Sequence, residues 1–132
     1  MSCVFCTDPS RAGDVVFEDE TCWIILHDDW SPAGHAMVVS RSHVENGSDL
    51  DATTWQSFTA RWQQAEKAIL DATGARRAMI LKLGIQVPHL HVHIYPMPAD
   101  AGRAAVFEAF DGKRQEPRDP ALIAKIRTAL AT

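Results

Sequence analysis

Five short runs of apolar and β-branched residues, separated by turn-forming residues, predict five β-strands along the chain. The first two lie within 14–28 and meet at the turn Asp19-Glu20-Thr21, so they predict a hairpin. The third covers 35–40 and follows the turn sequence SPAG. The last two cover 76–83 and 89–95. Strands on both sides of a helical region favour an antiparallel sheet in an α+β fold.

A helical periodicity separates the third predicted strand from the fourth. Apolar residues recur there at steps of three and four, which predicts one buried stripe on a long helix. The stripe consists of Trp55, Phe58, Trp62, Ala65 and Ile69. We expect this helix to begin near Ala52 with Asp51 as its N-cap, and to end at Gly74.

The C-terminal part of the chain has a second helical pattern, opened by Asp119-Pro120. Its inner face consists of Leu122, Ile123, Ile126 and Leu130. Residues 97–118 are rich in Pro, Gly, Asp and Arg, and they predict a loop with four solvated cations: Arg103, Lys113, Arg114 and Arg118. We therefore expect one domain over residues 1–132, an antiparallel sheet of about five strands with one long helix and a C-terminal helix.

Three histidines occupy alternate positions in the last predicted strand. Side chains alternate between the faces of a strand, so His89, His91 and His93 line one face about 7 Å apart. Leu90, Val92 and Ile94 fill the opposite face, which predicts that this second face is the core. A row of imidazoles suits a divalent metal site, or a phosphate site with one nucleophilic histidine. The third alternative is a polar strand face with no chemical role.

Two cysteines near the N-terminus have the spacing with which two thiolates reach one tetrahedral ion. Cys3 and Cys6 need two further ligands, and the chain has no other close pair of cysteines. Histidine must supply them, and the available donors are His27, His35, His43 and the three histidines of the last strand. Cys22 lies in an apolar strand and is expected in the core.

Net charge and composition limit the kinds of molecule that the protein is expected to bind. The formal net charge of −4 gives no reason to expect nucleic acid, whereas a small anionic ligand remains compatible with it. No apolar run reaches membrane-spanning length, and Asp8 and Arg11 interrupt the N-terminus before any signal-peptide-like run. The odd cysteine count of three favours a reducing compartment, so we expect a cytoplasmic protein without membrane contact.

Taken together, these motifs resemble the histidine triad (HIT) superfamily of nucleotide hydrolases and transferases. The resemblance runs from Cys3 through Tyr95 and rests on five segments: CVFC, FEDE, GHAMVV, SRSHVENGSDL and VPHLHVHIYP. The C-x-x-C indicates the zinc-bearing branch. The chain departs from the common pattern where Ile85 stands in place of a glutamine, with Gln86 next to it.

The resemblance implies a role for each matching residue. His91 is the implied nucleophile, which attacks the α-phosphate of a nucleotide and forms a nucleotidyl-histidine that water then hydrolyses. His93 and His35 are expected to flank the phosphate. The implied substrate contacts are Leu26 against the base, Asp28 (or its neighbour Asp29) on the ribose, and Gln86 as a further donor.

The resemblance also implies a structural zinc and a homodimer. The implied zinc ligands are Cys3, Cys6, His43 and His89, and the dimer forms through the long helix and a sheet edge, with Trp55 and Trp62 available. The expected substrate is a purine nucleotide such as an adenosine phosphate derivative, either a nucleoside phosphoramidate or a dinucleoside polyphosphate. Three alternatives remain: a nucleotidyltransferase, a non-catalytic nucleotide-binding module, and a metal-handling protein in which all three triad histidines bind metal.

Overall fold

A five-stranded antiparallel sheet forms the centre of the structure, a computed structural model that describes residues 3–113 and 115–131. The strand order is β1-β2-β3-β5-β4. The strands are β1 (Gly13–Glu18), β2 (Cys22–His27), β3 (Ala36–Ser40), β4 (Arg77–Leu81) and β5 (His91–Met97). The helices are α1 (Val4–Thr7), α2 (Ala52–Thr73), α3 (Arg103–Asp111) and α4 (Pro120–Leu130), with 3-10 turns at Pro9–Ala12 and Gly47–Asp49. The predicted α+β fold is confirmed.

Helices α2 and α4 cover one face of the sheet and enclose the main core. Leu90, Val92 and Ile94 all point into this core, as the alternation of the last strand predicted. Helix α2 has the predicted ends: the Asp51 carboxylate accepts the Thr54 N–H, and Gly74 closes the helix in the left-handed conformation at φ 73°. Both ends satisfy backbone groups that the helix itself leaves unpaired.

The N-terminal segment covers part of the opposite face. Phe5 is 2% exposed and packs with Ile25, Met37 and Val39, which are the inward-facing residues of β2 and β3 on this side. The sheet is therefore buried on both faces near its centre. The histidine row lies on this second face, so its imidazoles are enclosed by protein.

Two predictions about the elements are wrong. Residues 97–118 contain α3, whose Ala105, Val106 and Ala109 pack against Tyr95 and Met97. Nine residues between Gly102 and Gly112 give this helix only a short apolar stripe, which the surrounding polar residues obscure.

The second wrong prediction concerns the buried stripe of α2, which was predicted to include residues too close to the start of the helix. Trp55 is 41% exposed, Trp62 is only partly buried, and full burial is limited to Phe58, Ala65, Ala68 and Ile69. None of the helices within the described residues is long and apolar enough to cross a membrane.

Candidate functional site

A cleft of about 630 Å³ opens on the face of the sheet that carries the histidine row. Its floor is the end of β2 and the middle of β5, and its walls are the segment 83–87 and the C-terminal end of α3. Four imidazoles line it: those of His27, His35, His91 and His93.

His91 is held so that one ring nitrogen lacks a proton. Its Nδ1 lies 2.6 Å from the carbonyl oxygen of His89, and because a carbonyl only accepts, Nδ1 must carry the hydrogen. In the neutral ring, Nε2 therefore keeps a lone pair. The side chain is nearly buried, and this burial lowers its pKa, which favours the neutral ring near pH 7. Phe5 packs against the ring with 5.0 Å between centroids.

A chain of two hydrogen bonds fixes His93 through His35. The Nδ1 of His35 donates to the carbonyl oxygen of Asp29 at 3.1 Å. Its Nε2 therefore accepts the Nδ1–H of His93 at 2.9 Å. Burial lowers the pKa of His35 to about 2 and that of His93 to about 3, so both rings are neutral before a ligand binds. Tyr95 stacks on His35 at 4.0 Å and holds the ring in its plane.

This chain leaves no ring nitrogen of His35 for a ligand. Both of its nitrogens bond within the protein, so the expected direct contact between His35 and a phosphate does not fit the geometry. His35 instead determines which nitrogen of His93 carries the proton. With Nδ1–H of His93 directed at His35, the Nε2 of His93 remains for substrate or water.

The expected position of Leu26 against a base is wrong. Leu26 is fully buried in the main core, beside Cys22 and Ile24, on the face of β2 that meets α2. Alternation along the strand then directs His27 to the cleft, where it stacks on His35 at 4.4 Å. Asp28 and Gln86, the two other expected substrate residues, do line the cleft, and so does Asp29.

Four side chains from three segments form a compact group of metal donors. The donor atoms of Cys3, Cys6, His43 and His89 all lie within 4.8 Å of one another. Cys6 Sγ is 3.2 Å from His43 Nδ1, and Cys3 Sγ is 3.4 Å from His89 Nδ1. A tetrahedral zinc ion with its usual bond lengths separates a sulfur from a nitrogen ligand by about 3.5 Å. The group therefore fits zinc in both chemistry and size.

The surroundings of His89 prepare it as a ligand. Its Nε2–H donates to the carbonyl oxygen of Ser40 at 2.6 Å, which leaves the lone pair on Nδ1 directed into the group. Partial desolvation and the nearby Cys3 raise the pKa of the Cys6 thiol, and a bound cation would reverse this effect. His89 is the only one of the three triad histidines in this group, which disfavours a site in which all three bind metal.

The HIT domain model matches residues 9–99, more than half of the chain. The chain belongs to the HIT family. This HIT protein is similar to a hypothetical histidine triad nucleotide-binding protein of Sulfolobus tokodaii, with 27% identity over 98% of this chain and 92% of that one, and a TM-score of 0.76. It is also similar to a zinc-bound histidine triad family protein of Mycobacterium smegmatis, with 25% identity over 99% and 94% of the two chains and a TM-score of 0.73. A HIT family member of Bacillus subtilis, 21% identical over 99% and 96% of the chains with a TM-score of 0.68, shares the fold.

Several residues of the cleft were not expected from the sequence. His27 was considered only as a metal donor, and Tyr95 and the end of α3 around Phe110 were not considered. Arg118 does not extend into solvent as a loop residue. Its guanidinium bonds the carbonyl oxygen of His27 and the Asp14 carboxylate, and it packs over Trp30 at 4.3 Å.

The other loop cations have different positions. Arg103 lies over the ring of Phe107 at 5.2 Å on the same helix, and Lys113 is exposed. Arg114 lies outside the described residues. Neither Arg103 nor Lys113 lines the cleft.

Proposed function

We propose that this HIT protein is a nucleotide hydrolase that cleaves at the α-phosphate through a covalent nucleotidyl intermediate on His91. The observation that carries the proposal is the hydrogen bond from His91 Nδ1 to the His89 carbonyl oxygen, because it leaves Nε2 unprotonated in the cleft. A neutral imidazole with a free lone pair is a competent nucleophile at neutral pH. Burial favours that neutral form.

His93 supplies the proton transfers that such a reaction needs. A bound phosphate raises the pKa of His93, so the ring takes up a proton at Nε2 while Nδ1–H stays on His35. As His91 Nε2 bonds to phosphorus, the bond from phosphorus to the leaving group breaks, and the departing amine or phosphate takes the proton of His93. Water then attacks phosphorus, its proton passes to His93 Nε2, and the electron pair of the P–N bond returns to His91. The net change is hydrolysis to a nucleoside monophosphate.

The remaining cleft residues bind the nucleotide in this scheme. Asp28 accepts hydrogen bonds from ribose hydroxyls, and Gln86 donates to the phosphate. Both residues line the cleft, whose volume of about 630 Å³ suits a nucleotide-sized ligand. The preferred substrate is a purine nucleotide such as an adenosine phosphoramidate.

The four-donor group would hold a structural zinc. Its closed set of two thiolates and two imidazoles leaves no coordination position for substrate, so bound zinc stabilises the fold and takes no part in the reaction. The ligand His89 also positions His91, through the carbonyl oxygen that accepts its Nδ1–H.

Mass spectrometry after a brief reaction with an adenosine phosphoramidate tests the proposal. We expect an adenylyl adduct on the wild-type chain, located on His91, and none on His91→Ala. Turnover by His91→Ala should fall at least about a thousandfold, because losses of nucleophiles in other enzymes reach about a millionfold. His93→Ala should lose less, on the order of a hundredfold, since it removes one proton-transfer group.

The same assay separates the competing functions. If His91→Ala keeps more than about a tenth of the wild-type rate, a loss below about 1.4 kcal/mol, the assignment of the nucleophile is wrong. An adduct that is released only when a phosphorylated acceptor is added indicates a nucleotidyltransferase. Nucleotide binding without an adduct or product indicates a non-catalytic binding module.

A further inference from the structure

The end of β2 places a fourth imidazole in the cleft, that of His27, which lies outside the triad. Its ring stacks almost parallel to that of His35, with 4.4 Å between centroids and 14° between planes. Arg118 fixes the backbone at this point by bonding the His27 carbonyl oxygen. His35 therefore holds the ring of His27 by stacking, and Arg118 holds its backbone through a hydrogen bond.

The hydrogen bonding of His27 is opposite to that of His91. The Nδ1 of His27 accepts the backbone N–H of Asp29 at 2.9 Å, so this nitrogen carries no proton. In a neutral ring the hydrogen must then be on Nε2. His91 presents a lone pair to the cleft, whereas His27 has a donor available.

No described residue accepts a hydrogen bond from the Nε2–H of His27. The buried polar side-chain atoms that lack a partner are Trp30 Nε1 and Ser31 Oγ, and His27 Nε2 is not among them, so it is open to the cleft. A fixed, unpaired donor in a ligand-sized cleft is a contact for an acceptor atom of the ligand.

The neighbours of His27 indicate which part of a nucleotide its donor could meet. Centroids are 5.0 Å apart from His91 to His93, 5.1 Å from His93 to His35, and 4.4 Å from His35 to His27. His27 also lies 5.8 Å from His93, so the rings of His27, His35 and His93 form a cluster beside His91, and Asp28 follows His27 directly in the chain. The adjacency to Asp28, the proposed ribose contact, favours a ribose partner for the donor of His27.

We propose that His27 is a substrate-binding residue whose Nε2–H donates to a ribose hydroxyl oxygen and selects ribonucleotides over deoxyribonucleotides. The proposal rests on the proposed nucleotide function and deepens it. Asp28 accepts from the ribose and His27 donates to it, so the two side chains together match a hydroxyl group, which both donates and accepts. A site built to bond a hydroxyl leaves its own donor unpaired when the ligand lacks that group.

Two variants distinguish the effect of the N–H donor of His27 from the effect of its aromatic ring. His27→Phe keeps an aromatic ring against His35 but has no donor, and His27→Gln restores an N–H close to the position of Nε2. Each is assayed, beside the wild type, on adenosine 5′-phosphoramidate and on its 2′-deoxy and 3′-deoxy analogues. The readout is the ratio of kcat/KM for the ribose substrate to that for each analogue, in which the fraction of correctly folded enzyme cancels.

We expect the wild type to prefer the ribose substrate over one analogue by about tenfold, as for a lost hydrogen bond to an unpaired donor. His27→Phe should bring that ratio close to one, and His27→Gln should retain a clear preference. An unchanged ratio in His27→Phe, equal ratios in the two variants, or equal losses on all three substrates overturns the proposal. Equal losses would indicate a phosphate contact or a structural role.

Binding measurements distinguish this proposal from the proposed hydrolysis. If the wild type binds AMP without turning over any substrate, the same ratios are taken from the Kd values of AMP and its 2′-deoxy and 3′-deoxy forms. A preserved preference that His27→Phe abolishes then supports the role of His27 although hydrolysis has failed. Normal turnover with no ribose preference overturns the role of His27 alone, and absence of any nucleotide binding overturns both.

Discussion

At the scale of single residues, backbone carbonyl and amide groups decide what each imidazole in the cleft can do. His91 gives its proton to a carbonyl oxygen and keeps a lone pair, while His27 accepts an amide hydrogen and keeps a donor. His35 uses both nitrogens internally and acts only through His93. Similar rings in one cleft therefore have different chemistry, because their partners differ.

Burial of neutral His35 predicts loss of stability in acid. Its pKa is about 2 in the fold against an ordinary value of 6.5, so the unfolded chain binds more protons between these pH values. The free energy of unfolding should therefore decrease as the pH falls below about 6.5, by up to about 1.4 kcal/mol per pH unit for this histidine. Urea unfolding of the wild type and of His35→Asn between pH 4 and 7 measures the effect.

The comparison between these two chains isolates His35 from other acid-sensitive groups. His27, His93 and Tyr95 face its ring, but all of them are present in both chains. His35→Asn should be less stable at pH 7 and should depend less steeply on pH. Equal slopes in the two chains would show that His35 is not held neutral by the fold.

At the scale of elements, the metal group joins the N-terminal helix α1 to the segments around His43 and His89, which backbone hydrogen bonds already connect to each other. Cys3 is the N-cap of the four-residue helix α1 and Cys6 lies within it, His43 follows β3, and His89 precedes β5. A helix of four residues has little stability of its own. A metal ion across these segments would therefore fix Phe5 against His91 and hold the carbonyl oxygen that determines the proton of His91.

We expect about one tightly bound zinc ion per chain in protein purified without added metal, measured by elemental analysis. His43→Ala should lose most of this zinc, lower the Tm and reduce turnover less than His91→Ala, because it acts on the nucleophile only through His89. Cys22→Ala is the matched control: the third cysteine is buried in the main core, outside the metal group, so this variant should keep its zinc. A folded wild-type protein without metal would contradict the prediction.

The local pattern of apolar and polar residues was sufficient to predict most helices and strands. It failed at α3, where the pattern is weak, and at Leu26, where the family resemblance was followed in place of the pattern. Asp51 and Gly74 carry helix-end chemistry in their own side chain and backbone, so both ends of α2 were predicted. Helix α3 was missed because its nine residues contain little periodicity. Leu26 was assigned to the base by resemblance, although alternation from the core residue Ile24 already directed it away from the cleft and directed His27 toward it.

The proton positions in the site could not be predicted from the sequence. They depend on the carbonyl oxygens of His89 and Asp29, whose locations are known only after the strands and turns are assembled. The metal group is different, since the spacing of Cys3 and Cys6 and the family resemblance together named all four donors, and the fold brings them together. Residue type thus predicted the composition of the site, and tertiary structure determined its protonation.

At the scale of the whole molecule, the two edges of the sheet differ. Strand β1 is the edge that the rest of the chain partly covers: α4 packs beside it, Arg127 donates to the Val15 carbonyl oxygen, and Arg118 pairs with Asp14. Strand β4 forms the other edge, and the exposed apolar residues Leu83 and Ile85 follow it, 43% and 79% exposed. An uncovered strand edge beside exposed apolar residues is a surface at which two chains pair.

We therefore predict a homodimer that forms through the β4 edge and the neighbouring face of α2, where Trp55 is 41% exposed. A two-fold interface presents the same patch from each chain, so one substitution changes both halves of the contact. Light scattering at micromolar concentration should give twice the chain mass of 14.6 kDa.

Leu83→Glu should shift the protein toward monomer, because a dimer would bury one such carboxylate from each chain in the interface. Phe107→Glu changes an apolar residue of similar exposure, 51%, on α3, an element outside the proposed interface, and should leave the dimer intact. A wild-type monomer with full nucleotide turnover would show that pairing is not required, and equal effects of the two variants would show that the interface lies elsewhere.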